Sequence, residues 1–269
     1  MAGGRLTRIA LRLAAGVTLA FIYIPIGVIV LYSFNASDLV RWPITELTLD
    51  WYVQAFNDEG IRKALLASLQ AAIGATTVAL VLGSLIAFAV HRFRFFGRES
   101  LSFLILLPIA LPGIVTGIAL NTTFRTFGID FGLLTVIIGH ATFCVVVIYN
   151  NVVARLRRTA PSAQEASMDL GADTWQTFRR ITLPAIGTSI VAGALLAFAL
   201  SFDEIIVTTF TAGAGTQTLP IWIFSNYSRP NQLPLVNVAS VMVLVLSIIP
   251  VYFAARITSD PAAVAGTRG

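Results

Sequence analysis

Six long runs without Asp, Glu, Lys or Arg dominate the sequence, and shorter polar stretches separate them. Each run exceeds the roughly 20 residues that an α-helix needs to cross about 30 Å of hydrocarbon. In lipid, helices are the open-ended structures that satisfy every backbone amide and carbonyl internally. The pattern therefore predicts an all-α membrane protein with six transmembrane helices. The predicted spans cover residues 13–37, 64–90, 100–124, 131–154, 181–202 and 230–255.

A long polar stretch lies between the fourth and fifth spans. Ser162, with Glu165 three residues later, matches a capping box, in which the side chains satisfy free amides at the start of a helix. Gly171 suits the left-handed conformation that ends a helix. Asp173 with Gln176 can then cap a second short helix. We predict an elbow of two short helices, which must act outside the membrane.

Composition and charge support a membrane protein. Of the 269 residues, 57% are hydrophobic and 12% charged, against about 25% charged in soluble domains. The net charge of +5 raises nucleic-acid binding as an alternative, but that would require basic residues on one soluble surface. Thirteen of the eighteen Arg and Lys residues instead fall in alternate loops. This positive-inside pattern predicts that both termini are cytoplasmic and that nucleic acid is not a partner.

The predicted organisation is a single membrane domain over residues 13–256, preceded by a cytoplasmic N-terminus at 1–12. A tail at 257–269, rich in Ala and Gly, is expected to be disordered and cytoplasmic. The first span is longer than the apolar core of a signal peptide and lacks a convincing cleavage site, so we expect it to stay as an uncleaved helix. A single cysteine, Cys144, excludes an internal disulfide.

The elbow resembles the EAA–G–I-LP motif of ABC importer permeases, through the spacing of Glu165, Ala166, Gly171, Ile181, Leu183 and Pro184. Ser167 departs from the family, which usually has a second Ala there. The resemblance implies that residues 162–180 are the coupling helix that docks in a groove of the ATPase subunit; the alternative is an ordinary cytoplasmic loop with good caps. The residues expected to make this contact are Glu165, Ala166, Asp169, Leu170, Gly171, Trp175 and Phe178.

Three further segments, at 107–120, 139–147 and 200–213, resemble the second permease of spermidine/putrescine-type ABC importers. The resemblance implies a type I permease fold of six helices in the bacterial inner membrane. It also implies a sister permease, two copies of an ATPase, and a periplasmic or lipid-anchored binding protein. This chain would hold no cofactor, because its only lysine, Lys63, is not in a phosphate-binding loop. ATP and Mg²⁺ would bind to the separate ATPase.

The acids Asp203 and Glu204, together with Ser201 and Thr208, are candidate substrate-path residues. Asp203 lies 19 residues after Pro184, about 28 Å along a helix, so both acids are predicted at the outer end of the fifth span. Ser201, Glu204 and Thr208 have the i, i+3, i+7 spacing of one polar stripe. We expect an acidic mouth that attracts a cationic substrate; the alternative is a pair of interfacial acids in water, or paired with Arg229 or a second subunit.

Two other positions are candidates for contact with substrate. Trp222 lies in the outer loop at 209–229, where it could line a vestibule or belong to an interfacial aromatic belt. His140 is predicted to be a buried neutral imidazole bonded to a neighbouring helix, with substrate contact as the alternative. Gly113 follows Pro112 where many polyamine permeases have an acid. The missing carboxylate disfavours a multivalent polyamine and leaves putrescine or 4-aminobutyrate open.

Two function classes compete with the importer permease. An ion-coupled secondary transporter commonly uses midplane acids or broken helices, and the sequence shows neither clearly. A membrane-embedded enzyme is disfavoured because the sequence has no recognisable catalytic motif. Helix packing should be close at Gly74, Gly83, Gly113 and Gly117, because small residues let transmembrane helices approach each other.

Overall fold

A computed structural model describes residues 4–37, 41–160 and 162–258. Its regular elements in these ranges are helices, and an antiparallel bridge joins Asn35 to Leu47. The helices are α1 (Arg5–Tyr32), α2 (Asp50–Asn57), α3 (Glu59–Arg92), α4 (Arg98–Ala110), α5 (Gly113–Thr126), α6 (Leu133–Leu156), α7 (Ser162–Asp169), α8 (Thr174–Thr177), α9 (Leu183–Phe202), α10 (Ile206–Thr211), α11 (Leu219–Asn226) and α12 (Leu233–Thr258), with a π-helical turn at Phe178–Thr182 and a 3₁₀ turn at Pro230–Gln232.

Among the described residues, five helical stretches are each long and apolar enough to cross a membrane, and α4 and α5 meet the same criteria only as a bent pair. The prediction of one continuous helix over 100–124 is therefore wrong. The two helices meet at an angle of 104°. Leu111 is extended, at φ −80° and ψ 143°, because the ring of Pro112 disfavours helical geometry at the residue before it. The prediction of an all-α membrane fold is confirmed.

Several segments predicted to be loops contain helical residues. The outer loop expected at 209–229 includes the end of α10 and all of α11, and α2 lies between the first two predicted spans. Helix α12 continues to Thr258, so the tail expected to be disordered is helical at its first two residues. The rest of that tail, 259–269, and residues 1–3 lie outside the described residues.

The chain forms two compact units, one from residues 1–62 with 222–242 and the other from 63–221 with 243–269. In the first unit, the segment after α1 folds back through polar contacts of buried groups. Ser33 Oγ lies 2.7 Å from the hydroxyl of Tyr52, and the indole nitrogen of Trp51 donates to the backbone oxygen of Asn35 at 2.9 Å. These bonds order the loop between the first two long helices.

Helix α6 provides much of the core of the second unit. Thirteen of its 24 residues are buried, in a cluster that also takes side chains from α3, α9 and α10. Cys144, Ile148 and Val152 are inaccessible to solvent. A helix apolar on nearly every side must be covered on nearly every side, and α6 is accordingly the element against which the functional segments pack.

Glycines set how closely α3, α5 and α6 approach their neighbours, as predicted for three of four positions. A Cβ on Gly74 or Gly83 would fall within 3 Å of Ile137 or of the backbone oxygen of Val145. A Cβ on Gly117 would meet Phe210 of α10 at 2.6 Å. At Gly113 the nearest atom would be 3.5 Å away, an ordinary contact.

Replacing Gly117 with Ala should lower the stability of the purified chain. The added methyl would push Phe210 away, and overpacking of this kind costs about 1–3 kcal/mol. The matched control is Gly187→Ala in α9, where a Cβ would meet nothing within 4 Å and alanine favours the helix by about 1 kcal/mol. Thermal unfolding followed by tryptophan fluorescence should give a lower midpoint for Gly117→Ala only; equal midpoints would contradict close α5–α10 packing.

Candidate functional site

The elbow has the predicted form of two short helices with a break. Gly171 has φ +86°, in the left-handed region that ends α7 without steric cost for glycine. The carboxylate of Asp173 accepts from the amide of Gln176 at 2.7 Å, and the Gln176 side chain accepts from the amide of Asp173. These two features are confirmed. Ser162 is the first helical residue of α7, and Pro184 lies in the first turn of α9.

Most of the predicted ATPase-coupling residues share the exposed surface of this elbow. Leu170 is 90% exposed and Trp175 is 66% exposed, and Glu165, Ala166, Asp169 and Gly171 are exposed as well. Two large apolar side chains in water are unfavourable unless another surface covers them. The predicted residues other than Phe178 are therefore accessible to another subunit.

The seventh predicted residue, Phe178, anchors the elbow to the bundle. It is half-buried, and its ring lies 5.0 Å from that of Phe88 in α3 and 5.6 Å from that of Trp175. Ser167 and Thr177 are joined by a hydroxyl contact of 3.1 Å, which ties α7 to α8. The elbow is thus linked to α3 as well as to α9, and a displacement of its surface acts on two helices of the second unit.

At the far end of α9, the predicted polar stripe is wrong. Helix α9 ends at Phe202, and Asp203 leaves helical geometry with φ −98° and ψ 6°. A carboxylate oxygen of Glu204 accepts from the amide of Val207 at 2.8 Å, which starts α10 in a new direction. Local side-chain bonds of this kind compete with helix continuation. Ser201 and Thr208 therefore lie on different helices.

His140 of α6 joins the two polar residues that the helix break separates. Its Nδ1 lies 2.7 Å from Ser201 Oγ, and its Nε2 lies 2.8 Å from Thr208 Oγ1. All three side chains are buried. The prediction of a buried imidazole bonded to a neighbouring helix is confirmed, and the structure extends it to α10.

Two further side chains hold α10, and neither was singled out from the sequence. Asn121 of α5 donates from Nδ2 to the backbone oxygen of Phe210 at 2.6 Å. Thr135 Oγ1, at the start of α6, lies 2.7 Å from the backbone oxygen of Thr211. The available signal was a polar side chain inside or beside an apolar run, since such residues in membrane helices usually bond across helices.

The acidic pair sits at the junction of α9 and α10. Asp203 is exposed and Glu204 half-buried in the described chain. Desolvation raises the pKa of the Asp203 carboxyl above its usual range, and the neighbouring Glu204 carboxylate raises it further. The structure brings Ser201, Asp203, Glu204 and Thr208 to one junction. Trp222 belongs to the other unit, where its indole nitrogen would lie 3.2 Å from a Cβ on Gly60.

Comparison with known proteins identifies the family. The family described as "Binding-protein-dependent transport system inner membrane component" matches residues 79–260. The chain belongs to this family. As a member it is a multi-pass permease of the inner membrane, and the predicted localisation and class are confirmed. The match includes both the elbow and the acidic junction.

Curated relatives and solved structures agree with this family. The chain is 36% identical over 232 residues to the putrescine transport system permease protein PotI of Escherichia coli K12, covering 83% of this chain and 82% of PotI. It is 33% identical to the spermidine/putrescine permease PotC of the same strain, covering 90% of each. A bacterial ABC transporter for alginate import shares the fold, with a TM-score of 0.70 and 17% identity over 94% of this chain and 96% of that one.

Replacing Thr135 with Val should loosen the end of α10. The substitution keeps the shape but removes a hydroxyl that lies 2.7 Å from the carbonyl of Thr211 and 2.8 Å from that of Gly132 and that accepts from the Gly132 amide, and a lost bond of this kind costs about 1–3 kcal/mol. The control is Thr123→Val on α5, where the exposed hydroxyl bonds within its own helix. The midpoint of thermal unfolding should fall for Thr135→Val and stay near that of the parent for Thr123→Val. Equal midpoints would show that the Thr135 bond does not hold α10.

Proposed function

We propose that this chain is the transmembrane permease subunit of an ATP-driven importer for a small cationic amine, a polyamine with putrescine the first candidate. The observation that carries the proposal is the 36% identity to a putrescine permease over more than four-fifths of both chains. The relative at 33% identity is a spermidine/putrescine permease. A secondary transporter or an enzyme is not supported by these relatives.

The proposed assembly contains four kinds of subunit. This chain would pair with a sister permease, the pair would bind two copies of an ATPase that holds ATP and Mg²⁺, and a periplasmic or lipid-anchored protein would deliver the substrate. In support, a related fold was solved in a bacterial alginate ABC transporter bound to its periplasmic protein. The positive-inside pattern supports a cytoplasmic position for both termini and for the elbow.

The exposed face of the elbow is the proposed contact with the ATPase. Leu170 presents nearly its whole side chain, with Ala166 one turn before it on α7 and Trp175 on α8. Glu165 and Asp169, on the same short helix, would form the polar rim of such an interface. Apolar anchors surrounded by polar groups supply most of the energy of protein–protein contacts.

Helix α9 would connect the two functional ends of the chain. It begins at the elbow and ends beside Asp203, and its 20 residues span about 30 Å. A change in the position of the elbow, imposed by closure of the ATPase pair, would therefore move the acidic junction at the other end. ATP would shift the balance between outward and inward states only through different affinities of the ATPase for those states.

The acidic junction is the proposed attraction point for the cation. Two neighbouring carboxylates suit the two ammonium groups of putrescine, whereas the carboxylate of 4-aminobutyrate would be repelled by them. Gly113 supplies no third carboxylate at the α4–α5 bend. We therefore expect the importer to prefer putrescine over spermidine, which carries a third amine.

Replacing Leu170 with Asp should weaken binding of the ATPase without unfolding the permease, because the side chain is 90% exposed. Loss of a central apolar anchor and burial of a charge should reduce recovery of the ATPase by about tenfold or more. Co-purification from detergent with a tagged permease measures this. Phe127→Asp is the control, since Phe127 is equally apolar, 75% exposed and remote in sequence. Equal recovery from both variants would rule out the elbow as the docking surface.

Removing both charges at the junction should abolish uptake of labelled putrescine by the complete importer. Glu204→Gln keeps an oxygen that can accept from the Val207 amide, so the double variant with Asp203→Asn removes charge and preserves the α10 cap. Asp130→Asn, a change at another exposed acid, is the control. The same assay with spermidine, 4-aminobutyrate and 2-aminoethylphosphonate tests substrate class; normal uptake by the double variant, or no putrescine uptake by the parent, would contradict the proposal.

A further inference from the structure

One set of hydrogen-bond directions satisfies all the contacts around His140. Thr208 Oγ1 lies 2.9 Å from the backbone oxygen of Glu204. A carbonyl oxygen can only accept, whereas a ring nitrogen can donate or accept, so both contacts of Thr208 are satisfied only when its single hydroxyl hydrogen is donated to the carbonyl. Toward the imidazole, 2.8 Å away, Thr208 must then act as the acceptor. The hydrogen of that second bond comes from Nε2 of His140.

The other ring nitrogen completes the chain of bonds. A neutral imidazole has one N–H, so with Nε2 protonated Nδ1 is an acceptor. Ser201 Oγ, at 2.7 Å, donates to it. A charged imidazolium would be costly in a site that is 0% exposed. Hydrogens therefore run from Ser201 to His140, from His140 to Thr208, and from Thr208 to the Glu204 carbonyl.

We infer that His140, as the neutral tautomer with its hydrogen on Nε2, is a positioning residue that sets the orientation of Glu204. The ring lies on α6, the most covered of the long helices, and bonds the last turn of α9 and the first turns of α10. One hydroxyl, that of Thr208, links it to the peptide carbonyl of Glu204. The inference rests on the proposed role of the two acids in binding the substrate cation.

Glu204 makes a second bond at the same junction. It accepts the Val207 amide through its carboxylate while its own carbonyl accepts from Thr208. The orientation of this residue is therefore set from both its side chain and its backbone. With the hydrogen on Nδ1 instead, Nε2 would be an acceptor, Thr208 would donate to it, and the Glu204 carbonyl would lose the Thr208 hydrogen.

Nitrogen-15 NMR of the purified chain, labelled at histidine, tests the tautomer directly. The sequence has two histidines, His91 and His140, so the variant His91→Gln leaves one imidazole and assigns the spectrum. We expect one nitrogen of the protonated type at Nε2 and one of the unprotonated type at Nδ1. A hydrogen on Nδ1, or two protonated nitrogens, would overturn the inference without reference to transport.

Transport kinetics of the complete importer test the positioning role. His140→Gln can still donate to Thr208 from an amide near the position of Nε2, whereas His140→Leu cannot. Loss of the bond should raise the KM for putrescine by about tenfold in the Leu variant, with a smaller fall in kcat, and Gln should restore most of the KM. A role in folding alone would reduce the amount of permease at the membrane and leave KM unchanged.

Failure of the inference differs from failure of the proposed function. Unchanged KM in His140→Leu, together with loss of uptake in the Asp203→Asn and Glu204→Gln double variant, would overturn positioning and leave the acids in their role. If His140→Leu does not reach the membrane, Thr208→Val breaks the same link from its other side and should raise KM in the same way. Full uptake by the double acid variant would refute the role of the acids in binding the cation. The positioning role of His140 would be refuted with it. The NMR result would still decide which nitrogen carries the hydrogen.

Discussion

A six-residue helix packed against apolar helices needs partners outside itself for its backbone polar groups. Nearly every amide and carbonyl of so short a helix lacks an intrahelical partner, and an unsatisfied polar group in an apolar environment is costly. In α10 the partners are side chains: Glu204 at its first turn, and Asn121 and Thr135 at its last. The position of α10, and of the acids before it, depends on these bonds.

Helix α6 is central to this arrangement because it meets α10 at both ends. Thr135 contacts the last carbonyl of α10, and His140 contacts Thr208 and the end of α9. One turn later, Cys144 lies 3.4 Å from the carbonyl of Ala197 in α9. A buried helix with bonding groups at three positions thus fixes the junction, while the other end of α9 carries an exposed elbow. Helix α9 is therefore held at its end beside Asp203, whereas its beginning at the elbow is open to another subunit.

Sequence reasoning succeeded where the cause is local. Charge-free runs of more than about 20 residues predict spanning helices. The spacing of Asp173 and Gln176 predicts the cap of α8, and the glycine at 171 predicts a positive φ there. Each of these features depends on residues only a few positions apart. The motif around Glu165 also identified the family, since its residues match a known pattern. Helix α4 should have been separated from α5 by the same local logic, because Pro112 disfavours a helix at Leu111.

The acidic junction could not be derived in this way. Extending a helical period from Ser201 to Thr208 missed the break at Asp203, since the partners that stabilise the break lie 61 and 68 residues away, through the His140 ring. The sequence indicated that His140 would be buried and bonded, but not to which groups. Tertiary contacts determine those partners. Ser201 and Thr208, which were expected on the substrate-path stripe, are instead buried and bonded to His140.

Amide hydrogen–deuterium exchange of the purified chain in lipid nanodiscs tests most directly whether side chains of α5 and α6 hold α10. Peptides covering Ile206–Thr211 should exchange as slowly as those from α6, because the α10 backbone is bonded and buried. Exchange as fast as in the following segment around Gly215, which meets nothing within 4 Å at its Cβ position, would contradict a fixed junction.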